Sequence, residues 1–204
     1  MRSVLATASL TLLAASGCAG DEDGAGPGAT GERATSARFS ERSVHYFPDG
    51  AVRDSVRGAF DWETKRGWAI ERSAGTVTRT VQIGPRCYRR EGSKPWRSFR
   101  ATDVDGLCEA ALFGNPGKEL QLVRAVAKTE AAGGETIRGV KTTRYRAQLD
   151  VGAVKGPIEL WVDEQGVVRR SRQRGPEKRS FVSTREYFDF GVKVEVEPPK
   201  RGTA

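Results

Sequence analysis

This 204-residue chain has one histidine, His45, and one methionine, the initiator. A single imidazole, with no sequence cue to a nucleophile or acid beside it in Val44-His45-Tyr46-Phe47, reads as a structural side chain rather than a general base. No G-x-S-x-G, H-E-x-x-H, phosphate loop or dinucleotide fingerprint occurs. The close carboxylates Asp61/Glu63 and Asp163/Glu164 each border a hairpin turn and read as solvated turn residues. No catalytic residue, metal or cofactor is therefore expected. Long apolar runs are missing too: none approaches the ~20 residues that cross a bilayer, which excludes a multi-pass membrane protein. Leucine is scarce, with only six past residue 17, where Leu, Ile, Val and Phe together make 36 of 187 residues. That is close to the level at which a chain struggles to build a core. Half of the 36 are valine, a strand former, so the chain reads as a folded, β-rich, lightly packed single domain.

The N-terminus points to a compartment. Arg2 is followed by the apolar stretch Val4–Leu13, then by Ala14, Ala15, Ser16 and Gly17, and then by Cys18. By length and polarity this is a signal peptide over residues 1–17, too short to span a bilayer. A cysteine directly after small residues resembles a bacterial lipoprotein signal, in which cleavage precedes the cysteine and a diacylglycerol is added to it. Three residues before the cysteine that pattern prefers Leu, and here stands Ala15. The alternative is an ordinary secretory signal cut near Ala15 or Gly17, with Cys18 incidental. Lipidation of Cys18, palmitate included, would anchor the chain on the extracytoplasmic face of the plasma membrane, and two acyl chains hold where one binds only marginally. The cysteine count agrees. Three is odd for an oxidising compartment, and acylating Cys18 leaves Cys87 and Cys108 as a pair closing a loop of about 20 residues, worth roughly 3 kcal/mol. Two buried free thiols are the other reading. Neither cysteine has a C-x-x-C or C-x-x-H partner, so zinc is not expected.

Residues 18–38, rich in Gly, Ala and small polar residues with acidic Asp21, Glu22 and Asp23, read as a flexible tether reaching about 25 Å. A single domain follows over residues 39–199, with a tail at 200–204. Val52–Glu63 and Trp68–Arg72 around Thr64-Lys65-Arg66-Gly67 read as a hairpin. Thr76–Ile83 alternates with period two, Val77, Arg79 and Val81 opposite Thr78, Thr80 and Gln82. Cys87–Arg90 and Trp96–Phe99 form a short pair. Helix is expected over Asp105–Phe113 and again after the cap Asn115-Pro116, where Leu120, Val123, Val126 and Ala127 make a stripe. Strands resume with Val140–Val151, Ile158–Val162 and, after Asp163-Glu164-Gln165-Gly166, an Arg-rich strand from Val167. Ser180–Phe188 and Val192–Val196 close the domain. Short turns imply antiparallel pairing, so the expected class is α+β: a strongly curved antiparallel sheet with two short helices inserted midway.

Several segments, in order, resemble mycobacterial-type lipoproteins of the LppX/LprG kind. These are Gly139-Val140-Lys141-Thr142-Thr143-Arg144-Tyr145; Ile158-Glu159-Leu160-Trp161-Val162-Asp163 with Gly166-Val167-Val168-Arg169; and Asp189-Phe190-Gly191 before Pro198-Pro199. Together with Tyr88 and Trp96 they span residues ~44–199. The resemblance extends to LolA/LolB-like carriers. It implies a half-barrel wrapped over two short helices, with an apolar cavity between them that receives a lipid or other amphiphile, and no enzymatic activity. Candidate cavity residues, bulky and on apolar faces, are Phe60, Trp62, Trp68, Leu120, Val123, Tyr145, Leu160 and Val162. A filled or small pocket is the alternative, given the thin aliphatic content.

The net charge is +8, from 34 basic residues, 25 of them Arg, against 26 acidic ones. The densest basic run is Arg169-Arg170-Ser171-Arg172-Gln173-Arg174. On a strand, alternate arginines share a face, which makes Arg170, Arg172 and Arg174 candidates for anion binding. An exported chain with few aromatics there is not expected to bind nucleic acid. The competing functional reading is a ligand-free interaction or sensor module using this basic strand on cell-wall anions or a protein partner. In either reading the protein is expected to be a monomer.

Overall fold

The computed structural model describes residues 34–100, 114–151, 154–175 and 181–199. They form eleven strands and one helix: β1 (Ser36–Phe47), β2 (Gly50–Asp61), β3 (Arg66–Ser73), β4 (Thr76–Ile83), β5 (Arg86–Glu91), β6 (Arg97–Arg100), α1 (Pro116–Val126), β7 (Glu130–Ile137), β8 (Val140–Val151), β9 (Val154–Asp163), β10 (Val168–Arg174) and β11 (Phe181–Phe188). All strands lie in one antiparallel, curved, unclosed sheet of order β6-β5-β4-β3-β2-β1-β11-β10-β9-β8-β7. β1–β6 meander from the middle to one edge. The chain re-enters at the opposite edge and β7–β11 meander back, so that β11 pairs with β1. β6 and β7 are thus the two edges, and α1, which lies between them in sequence, packs on the sheet over β8 and β10.

Local sequence accounts for the turns. Asp61 Oδ1 accepts from the backbone N–H of Glu63 and Thr64, which closes the β2–β3 hairpin. Asp163 Oδ1 accepts from Gln165 N and Val167 N to close β9–β10. Asp163 is not the solvated residue expected of a turn: it is 3% exposed, and Arg169 lies 2.6 Å from Oδ2. α1 starts as its sequence indicates, with Asn115 Oδ1 accepting from Gly117 N at 2.9 Å and Pro116 in the first turn.

Leu120 and Val123 of α1 are buried against the sheet's inner face, whereas Leu122 and Val126 stand in solvent. The core they enter includes Phe39, Phe60, Leu160, Val162 and Tyr187, each about 1% exposed. Burying one such side chain contributes about 1.5–3 kcal/mol. Two glycines permit close approach within that layer. A Cβ on Gly67 would lie 2.1 Å from the Phe60 ring, and one on Gly58 would lie 2.6 Å from the Phe39 ring.

Several expectations change. β1 begins at Ser36 with Ala37 fully buried, inside the span assigned to the tether. Val192–Val196 forms no strand. After β11 the chain turns through Asp189 (φ 51°) and Gly191 (φ 76°), and both neighbours of β11 are already taken by β1 and β10. The segment instead lies across the strand ends, where Ser36 Oγ donates to Val192 O and Arg66 donates to Val196 O. β7 was not anticipated at all. Of the two expected helices, the described residues contain α1; the other, over 105–113, falls outside them, as do Cys18 and Cys108.

Candidate ligand cavity on the inner face

The site grows out of one strand pair. Facing residues of β1 and β11 share the inner face in successive rows: Phe39 with Tyr187, Glu41 with Arg185, Ser43 with Ser183, and His45 with Phe181. The first row is core. The second is an ion pair, with Arg185 Nε and one terminal nitrogen 2.9 and 2.6 Å from Glu41 Oε2. The third carries Ser183 Oγ donating to Glu41 Oε1 at 2.6 Å. The fourth is an aromatic stack, with His45 and Phe181 ring centroids 5.7 Å apart and His45 Nε2 3.4 Å from Asp54 Oδ2. Ser171 and Gln173 of β10 lie opposite Arg185-side positions of β11, and Ile158 of β9 lies beyond them.

Between these strands and α1 is an open cavity of about 340 Å³, within the range of small-molecule sites. Its lining is Glu41, Ser43, His45, Glu119, Ile158, Ser171, Gln173, Phe181, Ser183 and Arg185. Eight of these ten carry polar side chains, so the cavity enclosed by the described residues is polar where an apolar one was expected. Ile158 and Phe181 are its two wholly apolar side chains, and the stems of Arg185, Glu119 and Gln173 add hydrocarbon beside them.

The charged floor is coupled to α1. Tyr187 Oη donates to Glu119 Oε2 at 3.3 Å, and an Arg185 nitrogen lies 3.4 Å from Tyr187 Oη. Gly114, just before the helix, runs against Arg185 and Tyr187 so closely that a Cβ would sit 2.7 Å from the guanidinium. Burial pushes the Glu119 carboxyl above its ordinary range; Arg185 and hydrogen bonds from Ser171 and Tyr187 only partly oppose this. Burial likewise raises the Tyr187 phenol, assisted by Glu119. Burial would lower the Arg185 guanidinium, but Tyr187, Glu41 and Glu119 more than offset it, so Arg185 stays charged.

None of the eight residues chosen from sequence lines this cavity. Seven of them, Phe60, Trp62, Leu120, Val123, Tyr145, Leu160 and Val162, pack together in one cluster between helix and sheet. Trp68 lies on the other face of the sheet, opposite Ala59 and Val81, while its neighbour Gly67 faces Phe60. The basic strand is occupied in part. Arg170 pairs with Glu135 and Glu186 and covers the Trp161 ring, Arg172 Nε is buried, and Arg174 is exposed at the strand end. Cys87 is fully buried on the inner face.

The lining residues that sequence reasoning missed follow a readable signal. On β1 the inward set Ala37, Phe39, Glu41, Ser43, His45 changes from apolar to polar along one face, and Tyr187, Arg185, Ser183 on β11 change in step. Among the described residues, no group of three His, Cys, Asp or Glu side chains is placed to hold a metal ion, and no helix is long and apolar enough to cross a membrane.

Comparison with known proteins places this fold in a class. No family model matches the chain. Its fold is similar to that of the mycobacterial lipoproteins LppX and LprF. It superposes on the Mycobacterium tuberculosis lipoprotein LppX with a TM-score of 0.52 and 14% identity, over 81% of this chain and 94% of that one. LprF from Mycobacterium bovis gives 0.50 and 13%, over 84% and 93%. In sequence the chain is 27% identical over 134 residues to the Streptomyces coelicolor protein named "Putative lipoprotein SCO4650", covering 61% of this chain and 47% of that protein. It therefore spans about half the length of that relative.

Proposed function

We propose that this protein is a lipid-anchored envelope lipoprotein that binds an amphiphile on the inner face of its sheet, without catalysing a reaction. The observation that carries the reading is the cavity beneath α1, which combines a charged, hydroxyl-lined floor with the hydrocarbon of Ile158 and Phe181. Such a surface suits a ligand with a polar head and an apolar part, and the packed cluster around Leu120 and Leu160 adjoins it through Ile158. The LppX-like fold and the Streptomyces relative support the same reading. In it, Cys18 carries the diacylglycerol, the residues before Ser36 form the tether, and Cys87 pairs with Cys108. The domain acts as a monomer on the extracytoplasmic face of the plasma membrane. The pairing of Arg170 with two glutamates weighs against the basic strand as a separate anion site.

Native mass spectrometry on protein purified from its own host tests this. A bound amphiphile leaves on denaturation, whereas the covalent anchor stays. Release of a stoichiometric amphiphile from wild type, and its loss from a Ser183→Leu variant that fills the cavity, is the expected result. Wild-type protein that carries nothing and binds no added amphiphile would refute the reading.

A further inference from the structure

Charge is sorted between the two faces of β1–β6. The ladders joining these strands run without register shifts, so facing residues fix which side each one occupies. Of the five carboxylates on these strands, Glu41, Asp54, Glu71 and Glu91 point inward and only Asp61 points outward. Most arginines do the reverse; on these strands only Arg89 and Arg97 point inward. The outer face carries Arg42 on β1, Arg53 and Arg57 on β2, and Arg72 on β3. It continues with Arg79 on β4, Arg86 and Arg90 on β5, and Arg100 on β6. Arg38 and Arg66 share that face, held by Asp189 and by Val196 O respectively. Arg79 stands directly opposite Arg90, and Arg86 directly opposite Arg100. Like charges opposite one another destabilise a sheet. Yet Arg42, Arg53, Arg57, Arg72, Arg79 and Arg86 make no ion pair among the described residues, and Arg90 Nε is buried without an acceptor. The outer face of β7–β11 is more nearly balanced. There Arg144, Arg146 and Arg170 are matched by Glu159, Glu135 and Glu186, and Arg172 and Arg174 are the two without an acidic partner among the described residues.

We infer that the outer face of β1–β6 is a docking surface for an anionic phospholipid bilayer. The charge complements such a surface, and each Arg near it adds attraction. The chain's entry point agrees. β1 starts at Ser36, eighteen residues after Cys18, and a coil of that length would reach roughly 25 Å. Six strands are about as wide, and the arginine face is thereby kept within reach of the membrane. That reach rests on the anchoring proposed above; the charge sorting does not. Docked this way, the cavity opens on the side of the sheet away from the bilayer.

The test uses the full chain carrying Cys18→Ser, so that no acyl chain contributes, in flotation with vesicles of phosphatidylcholine alone or mixed equally with phosphatidylglycerol. The chain should partition onto the mixed vesicles only, and less as salt rises. Arg57→Gln and Arg72→Gln should each lower the partition coefficient about fivefold, equivalent to about 1 kcal/mol per residue. Lys155→Gln, on β9 and paired with Asp150, should leave it unchanged. Equal partition onto both vesicles, or an equal fall for Lys155→Gln, overturns the inference. Tight binding to soluble polyphosphate with none to vesicles also overturns it, since the partner is then a free polyanion. None of these outcomes involves the cavity, so failure here and failure of the amphiphile reading are separately visible.

Discussion

Replacing Arg185 by Met tests whether the charged cavity floor is one physical unit. The substitution keeps much of the volume but leaves Glu41, 18% exposed at its side chain, without its two guanidinium contacts. Breaking a buried pair from one side costs about 3–5 kcal/mol. Solvent still reaches 15% of the Arg185 side chain, so the lower end, about 3 kcal/mol, is expected at neutral pH. The double variant Glu41→Gln/Arg185→Met should recover at least half of that, because no orphaned charge remains, giving a coupling of about 1.5 kcal/mol or more. Glu119 adds a pH signature. Its folded carboxyl already lies above the unfolded value through burial, and Arg185 is the largest influence holding it down. Between the unfolded and folded values the native state binds more protons, so this group's contribution is fully present below the unfolded pKa and is lost as pH rises. Removing Arg185 widens that window. The variant's deficit, measured by urea unfolding followed by Trp fluorescence, should therefore be smaller at about pH 4.5 than at about pH 7.5. A deficit under about 1 kcal/mol at neutral pH, or one that grows on acidification, would refute the coupled-floor argument.

Four further outcomes are checked by the same unfolding assay. Gly67→Ala should destabilise by about 1–3 kcal/mol or prevent folding, since its Cβ would meet the Phe60 ring at 2.1 Å and Ala59 O at 2.7 Å. Asn115→Ala should cost about 1 kcal/mol, with Asn115→Asp close to neutral, because Oδ1 caps Gly117 N. Leu120→Ala, at 4% exposure in the helix–sheet layer, should cost about 2–5 kcal/mol. Cys108→Ser should lower stability by roughly 3 kcal/mol, and a reductant should have little further effect on that variant.

The strands that sequence made legible are those whose alternation is uninterrupted. Thr76–Ile83 and Val140–Val151 have the bounds read from their patterns. β7 is not legible in the sequence because half of Glu130–Ile137 is Ala and Gly, with a register shift between Ala131 and Gly134 that breaks any period. Val192–Val196 alternates well but has no free strand to pair with, a fact of topology that local pattern does not contain. The residues chosen by size lie away from this cavity for a related reason. Bulky apolar side chains such as Phe60 and Leu160 are drawn into contact with α1 and fill space. Empty volume is left where small or polar side chains, Ser43, Ser171 and Ser183 among them, face inward together. Choosing residues by size therefore selects the packing rather than the void. The register of β1 against β11, which lines Glu41 up with Arg185, arises from pairing between the two ends of the chain. Neither segment alone announces it.

Face selection in β1–β6 is the step that joins cavity and membrane surface. An antiparallel sheet with one covered face ordinarily turns its apolar residues inward. β4 does the opposite: Thr78, Thr80 and Gln82 are buried on the inner face, while Val77, Arg79 and Val81 point outward. Gln82 Nε2 donates to Gly84 O, but its Oε1 has no acceptor role filled among the described residues, and neither has Asp54 Oδ1. An unsatisfied buried acceptor costs about 1–3 kcal/mol, so packing alone would favour aliphatic residues at these positions. Aliphatics are instead concentrated where α1 seats, around Val123, Ile158 and Leu160. The inner face thus carries an aliphatic zone under the helix and two polar ones, one on β4 and one along β1, β10 and β11, where the cavity lies. Most arginines of β1–β6 occupy the outward positions that remain, Arg89 and Arg97 being the exceptions, which concentrates positive charge on the face proposed above to dock on a bilayer.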